Sequence, residues 1–391
     1  MADAILTINA GSSSIKFALY ELENGLTRVA DGLGEGIGET PHLHIEAGGE
    51  VALDKTWPDH SPLDHETLLG EALDWVEHHL GEDSLVAAGH RIVHGGDLFL
   101  EPTRLTPQHL RDLAQLNQLA PLHEPHNIAA VQAVFKLRPD LPQIGCFDTG
   151  FHRTMPEIAR WLAIPRSYRR QGVRRYGFHG LSYEYIASRL PAVAPRLAQA
   201  RVIVAHLGNG ASMCALRAGQ SVDSTMGFTA LDGLMMGTRC GAIDAGALLY
   251  LMQARGMTAD DLSTLLYKRS GLLGVSGISS DVRTLLASPA PEAKEALDLF
   301  AFIAARQAAG LVASLGGLDG LVFTAGIGEH APAIRAAICE RLAWLGIKLS
   351  PEANATGDSA ISEPESRVEV RIIPTDEDLM IATHTKALIG R

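Results

Sequence analysis

The sequence predicts an α/β protein built from two similar halves, and three observations carry that expectation. β-rich and helix-periodic segments alternate along most of the 391 residues. The stretch ILTINAGSSSIKFALY at 5–20 is echoed by VIVAHLGNGASMCALR at 202–217. Glycines cluster just after the β-rich runs, where backbone must turn or approach a ligand closely.

The elements follow in order. β-rich runs occupy residues 5–8, 14–20, 85–93, 143–148, 202–207, 321–324 and 368–373. Residues 65–79 have helical periodicity, with Leu68, Leu69, Ala72, Leu73 and Val76 on one face. Thr106 followed by Pro107 reads as a cap and first turn. Residues 291–315, nearly all apolar or alanine on one side, predict a long core helix. Residues 350–367 (SPEANATGDSAISEPESR) read as a polar loop. Thr375, Asp376, Glu377 and Asp378 read as a capping box before the last helix. Their acids either complement the helix dipole or hold a metal.

Charge and cysteine usage exclude several classes. With 33 Lys+Arg against 45 Asp+Glu the net charge is −12, which argues against a dedicated nucleic-acid binder. Cys146, Cys214, Cys240 and Cys339 are scattered, without a CxxC pair, as expected in a reducing compartment. The start MADAILTINAGSSS shows no basic segment leading into an apolar one, so no secretory signal is expected. No apolar run is expected to approach the roughly 20 residues needed to span a bilayer. The chain is therefore expected to be soluble and cytoplasmic, with no membrane partner.

The internal echo aligns Gly11 with Gly208, an offset of 197 residues. Two ordinary hairpins would give the same pattern. So would a duplicated domain whose Gly- and Ser-rich turns expose N–H groups to phosphate across a cleft.

Other motifs carry chemistry. Asn9 to Lys16 combines small residues, three serines and a lysine, but lacks P-loop spacing. Arg91, His94 and the Gly95–Gly96 pair end a strand, where an arginine suits forked binding of a carboxylate or phosphate. LAPLHEPHN at 119–127 offers two histidines but no third metal ligand. Asp148 sits at a strand end, a usual place for a functional acid. Its DTG context would suit an aspartic protease only if a second such triad existed. His179 and Arg239 are each flanked by glycine. AGIGEHA at 325–331 matches a dinucleotide-binding fingerprint, yet too little chain follows it for a full NAD-binding domain.

Ten stretches, in order, make a resemblance: INAGSSSIKF, GHRIVHGG, LAPLHEPHN, FDTGFHRTMP, RRYGFHGLSYEYI, HLGNGAS, DSTMGFTALDGLMMGTRCG, GISSDVR, FTAGIGEH and IPTDEDLMIA. With them the chain resembles the acetate kinase (acetokinase) family of the acetate and sugar kinase/Hsp70/actin superfamily, from residue 5 to about 383. The resemblance implies duplicated actin-like (ribonuclease H-like) domains with mixed sheets flanked by helices and an active site in the interdomain cleft. Domain limits of 1–149, completed by a C-terminal helix at about 378–391, and 150–377 follow from it. It further implies reversible, Mg²⁺-dependent transfer of the ATP γ-phosphoryl group to acetate, giving acetyl phosphate and ADP. Mn²⁺ is an alternative ion, and a homodimer is implied.

By motif position the resemblance assigns roles. Asn9 and Glu377 organise the metal, and Lys16 the phosphates. Arg91 and Arg239 hold the carboxylate and the transferring phosphoryl, and His179 stabilises the transition state. Asp148 is the family's catalytic acid residue. Since acetate needs no general base, Asp148 is expected to orient the metal or the arginines instead. His206, Leu207, Gly208, Asn209, Gly210, Asp281, Val282, Arg283, Gly326, Ile327, Gly328, Glu329 and His330 line the nucleotide. Val93, Leu122, Phe178 and residue 230 wall the methyl pocket. Ala230 departs from the family's usual proline, so propionate is a second candidate substrate. From other classes, an NAD-dependent dehydrogenase rests on residues 326–331 alone, and an actin- or Hsp70-like ATP-driven module would share the fold.

Overall fold

The structure is a computed structural model that describes residues 3–11, 13–23, 25–59, 61, 63–120 and 123–390. Leu122 and Ser12 lie outside the described residues. The chain divides into two compact units, Met1–Phe151 with Asp376–Arg391, and His152–Thr375.

The first unit holds strands β1 (Asp3–Ala10), β2 (Ser14–Glu21), β3 (Thr27–Glu35), β4 (His42–Ala47), β5 (Glu50–Thr56), β6 (Ser84–Ile92), β7 (Thr103–Arg104) and β8 (Gln143–Phe147). They form one eight-stranded sheet in the order β5-β4-β3-β2-β1-β6-β8-β7. β1 pairs antiparallel with β2 and parallel with β6, and β6 pairs parallel with β8. Both faces of β1 are covered, which is why ILTINA reads as a continuous apolar run. Ala4, Leu6, Ile8 and Ala10 pack with Leu68, Leu69, Ala72, Leu73 and Val76 of the helix His65–Leu80. On the other face Thr7 donates to Asp378 Oδ1 at 3.2 Å, on the C-terminal helix Glu377–Ile389. That helix lies so close to β6 that a Cβ at Gly89 would be 2.3 Å from Thr385 Oγ1 and 2.6 Å from Ile381 Cγ2. Glycine at position 89 lets the helix approach.

The second unit holds β9 (Arg201–Leu207), β10 (Ala211–Arg217), β11 (Gln220–Ser224), β12 (Gly320–Thr324) and β13 (Glu369–Ile372), in the order β11-β10-β9-β12-β13. A hairpin and a third antiparallel strand, then two parallel strands, repeat the arrangement β3-β2-β1-β6-β8 of the first unit. The echo is therefore a duplicated actin-like fold. The first copy carries an added hairpin, β4 and β5, which the β-rich reading of the sequence did not contain.

Three expectations are corrected. The last helix is capped by Asp376, whose carboxylate accepts from Leu379 N at 2.9 Å, and not by a box at Thr375. Residues 350–367 are not a featureless loop. Ser350 caps a short helix, Pro351–Thr356, and isolated bridges join Leu349 to Ser362 and Ala360 to Arg371. Finally, the helix Pro291–Leu315 is long and apolar enough by length and composition to cross a membrane. Its alanine stripe (Ala293, Ala296, Ala301, Ala304, Ala305, Ala308) is buried, and the helix packs on β9, β10 and β11, as a core helix does.

Candidate active site

In the first unit, functional side chains gather where parallel strands end. Arg91 on β6 stands beside Cys146 of β8, so Asp148, one residue beyond β8, is within its reach. Arg91 donates from Nε at 3.1 Å and from Nη2 at 2.6 Å, both to Asp148 Oδ2, and from Nη1 to Asn9 Oδ1 at 3.3 Å. The Asp148 side chain is wholly buried, and its Oδ1 has no partner. Glu377, the first residue of its helix, places Oε2 3.9 Å from Arg91 Nε. Burial works against the Arg91 charge, but Asp148 and then Glu377 outweigh it and raise its affinity for the proton. Burial pushes the Glu377 carboxyl well above the carboxylate range; Arg91 opposes this shift, and Asp148 adds repulsion. Lys16 pairs with Asn9 across the β1–β2 hairpin and is solvent-exposed.

Asn9, Asp148 and Glu377 form an oxygen-only donor set with one orphaned, buried carboxylate oxygen. That chemistry suits a hard divalent cation, so these residues fit the metal expected here.

Residues that the sequence reading left without a role brace this set. Asn127 accepts from Val93 N at 3.0 Å and donates to Ala10 O at 2.7 Å, tying the end of β6 to the end of β1. Thr149 accepts from Gly95 N, and Glu124 from His94 N, each at 3.0 Å. Val93, two residues after Arg91, is buried. Asn127 and Glu124 lie in the stretch LAPLHEPHN, where attention to histidine as a metal ligand hid the amide and the acid.

In the second unit, β9 and β12 run parallel, with His206 beside Thr324, so the turns that follow them are neighbours. A Cβ at Gly208 would lie 3.8 Å from Ala325 Cβ. Gly210 is glycine because of what passes over it. A Cβ there would lie 2.5 Å from Arg239 Nη2 and 3.4 Å from His179 Nε2. Arg239 is anchored from Nη1 to the carbonyl of Ala230 at 2.6 Å. Asn209 O accepts from Gly237 N at 3.0 Å, joining the HLGNGAS turn to the arginine loop.

His179 has left-handed backbone, φ 57° and ψ 29°, at the start of the helix Gly180–Val193. A non-glycine residue held there is strained, a condition typical of functional positions. Its ring stacks on His206 with centroids 4.2 Å apart, and its Nδ1 lies 2.8 Å from Ser212 Oγ. His206 Nδ1 in turn lies 2.8 Å from Ser182 Oγ. Each hydroxyl fixes a ring, and neither serine was singled out from the sequence. Phe178 is buried, and its carbonyl is 2.9 Å from His152 Nε2.

The remaining nucleotide candidates divide into bracing and exposed residues. Glu329 turns inward, accepting from Ala325 N at 2.7 Å and Thr375 N at 3.3 Å, so it holds the turn's shape. Ala325 itself has φ 64°. Gly326 has open space around it, while Gly328 is buried. His330 is 78 % exposed. Asp281 caps the helix Val282–Ala287, with Val282 buried, and pairs with Arg283 Nη2 at 2.8 Å. The Arg283 hydrogen bond, with backbone N–H groups, pulls the Asp281 carboxyl down to about 2.

Comparisons with known proteins agree with this geometry. The Acetokinase family model matches residues 4–383. An acetate kinase of Rhodopseudomonas palustris is 53 % identical over 98 % of this chain and 98 % of its own. An acetate kinase of Nitrobacter hamburgensis is 49 % identical over 99 % of this chain and 96 % of its own. A propionate kinase structure from Francisella tularensis superposes with a TM-score of 0.91 at 35 % identity, covering 98 % of this chain and 99 % of its own. The acetate kinase of Porphyromonas gingivalis gives 0.86 at 35 % identity, over 99 % and 100 %. The dehydrogenase and interaction-module readings fall with these matches, and the chain belongs to the acetokinase family, as a kinase with a carboxyl group as phosphoryl acceptor.

Proposed function

We propose that this chain reversibly transfers the γ-phosphoryl group of ATP to acetate, by direct in-line displacement with Mg²⁺. One observation carries the reading most directly: Arg91, locked on Asp148 and Asn9, stands at a strand end next to the apolar, buried Val93. A cation beside an apolar wall recognises a short carboxylate at both its ends.

Acetate is ionised at neutral pH, so its oxygen attacks the γ-phosphorus without a general base. One P–O bond forms to acetate as the bond to the β-phosphate oxygen breaks, and the electron pair leaves with ADP. Charge sits on the equatorial oxygens throughout, so positioned cations and donors dominate the rate. Arg91 orients the acetate. Arg239, held on the Ala230 carbonyl, and His179, held on Ser212, supply positive charge and a hydrogen bond to the transferring group. The Gly208–Gly210 and Ala325–His330 turns hold the nucleotide, and Lys16 meets phosphate oxygens. Asn9, Glu377 and the unpartnered oxygen of Asp148 would hold the divalent ion, which would supply charge to offset the phosphates. Asp148 therefore serves the arginine and the metal and takes no proton from substrate.

Propionate is the second reading, favoured by Ala230 in place of the family's usual proline. The propionate kinase superposition adds to it. Trapping acyl phosphate as hydroxamate, with acetate, propionate and butyrate, tests both readings through kcat/KM. No hydroxamate with any of the three would refute the proposal.

A homodimeric, cytoplasmic enzyme fits two further features. The helix Ala245–Arg255 buries no residue although it carries Leu249, Tyr250 and Met252, all exposed. The four cysteines are free thiols. Sedimentation equilibrium would decide the oligomeric state.

A further inference from the structure

The added hairpin of the first unit carries a cluster that phosphoryl transfer does not use. His42 and His44 are two residues apart on β4, so both imidazoles leave the same face of the sheet. β5 returns antiparallel and places Asp54 directly opposite His44. Asp54 Oδ1 is 2.8 Å from His42 Nε2, and Oδ2 is 3.2 Å from His44 Nδ1. One ligand atom from each residue lies within 4.8 Å of the others, the one such three-residue grouping among the described residues. Between the histidines Leu43 is fully buried, as is Ile45 just beyond, so the core fixes the backbone that presents both rings.

We propose that His42 Nε2, His44 Nδ1 and the Asp54 carboxylate bind a divalent transition ion of the Zn²⁺, Co²⁺ or Ni²⁺ type. Two imidazoles and a carboxylate, with a fourth position for water, match the preference of these ions. Mg²⁺ favours oxygen donors and belongs with Glu377. The outer nitrogens give a second, independent argument. His44 Nε2 lies 3.3 Å from Glu46 Oε1, and His42 Nδ1 lies 3.8 Å from Glu35 Oε1. A metal-ligating histidine typically gives its other N–H to such a carboxylate, which fixes the tautomer and the ring plane. The His44 ring already has that outer partner, and the His42 ring has the Glu35 carboxylate within reach of a small rotation. Tetrahedral bonds of about 2.0–2.1 Å set neighbouring ligand atoms about 3.3 Å apart, so an ion entering between the side chains opens the 2.8 Å contact of Asp54 with His42 and draws in the more widely spaced atoms. Side chains 30 %, 31 % and 56 % exposed can rotate to do so without disturbing the core. A bound ion would clamp β4 to the edge strand β5.

The test uses the full chain, stripped with chelator and free of nucleotide. Zn²⁺ is titrated by calorimetry and Co²⁺ by visible absorption. Glu377→Gln serves as the background that removes an oxygen ligand of the catalytic cation. One equivalent should bind in parent and Glu377→Gln alike, and Zn²⁺ should raise the Tm of both. His44→Gln and Asp54→Asn should each weaken binding at least about tenfold and abolish the Tm rise, with Mg-ATP-dependent turnover unchanged. Asp54→Asn keeps the hairpin's polar contacts if a histidine variant misfolds. Zn²⁺ affinity indifferent to both substitutions, or lost in Glu377→Gln, would overturn the proposal. Absence of hydroxamate formation in the parent chain would count against the kinase reading instead.

Discussion

Both hydrogen bonds from Arg91 to Asp148 end on one carboxylate oxygen, Oδ2, leaving the buried Oδ1 without a partner. An ion pair evolved for stability alone would use the forked guanidinium against both oxygens. Here one oxygen positions the arginine and the other is kept for something else. Asp148→Asn should therefore lower kcat by about 10²–10⁴ and raise the metal concentration needed for half-maximal rate. Near-normal turnover at saturating Mg²⁺ would remove Asp148 from any metal-organising role.

Arg239 tests the same logic in the second unit. Arg239→Ala should cost about 10²–10⁴ in kcat, the scale of one preorganised donor or cation. Arg239→Lys should restore little, since an ammonium cannot hold the Ala230 carbonyl and a phosphoryl oxygen in one plane. Steady-state kinetics on both variants would show whether charge or geometry matters more.

Gly210→Ala is the sharper probe of crowding. The new Cβ would stand 2.5 Å from Arg239 Nη2, so the guanidinium must move. We expect at least about a tenfold loss in kcat with Tm nearly unchanged, because a misplaced catalytic group costs rate before it costs fold. A variant as active as the parent would show that Arg239 does not act over this turn.

Glu124 gives a pH prediction. Burial pushes its carboxyl from 4.5 up to about 8, against the His94 N–H bond, which lowers it. A carboxyl raised in the folded state favours folding below its unfolded value, and that contribution is lost as pH rises through the folded one. Between pH 4.5 and about 8 this group should progressively destabilise the chain. Glu124→Gln should flatten that part of the Tm-against-pH curve. An unchanged slope would mean that another group sets it.

Ala230→Pro addresses substrate choice. Restoring the family's usual residue should shift kcat/KM toward acetate over propionate by about tenfold, since one methylene is worth about 1–3 kcal/mol in an apolar pocket. An unaltered ratio would place specificity elsewhere.

The sequence made the fold legible where burial dictates pattern. The apolar runs around Ile5 and Val202, and the alanine stripe of Pro291–Leu315, appear in the structure nearly as read. The hairpin β4–β5 escaped because β5 is exposed along most of its length, and the few apolar residues that face the core, Leu43, Ile45 and Leu53, are interleaved with histidines and charged residues. Of the candidate site residues, Arg91 and Asp148 stood out at strand ends and His179 and Arg239 between glycines. Their supports did not. Ser212, Ser182 and Asn127 act through hydrogen bonds to residues far away in the chain, formed only once the fold has brought them together, and no local pattern encodes that meeting.

The C-terminal helix also bears on the order of events at the ribosome. Glu377, and the helix that covers Gly89, are synthesised only after all of residues 152–375. The first unit's sheet therefore waits with one face uncovered while its counterpart is made and folded. A chain that stops before residue 377 has neither a finished first unit nor the Glu377 carboxylate.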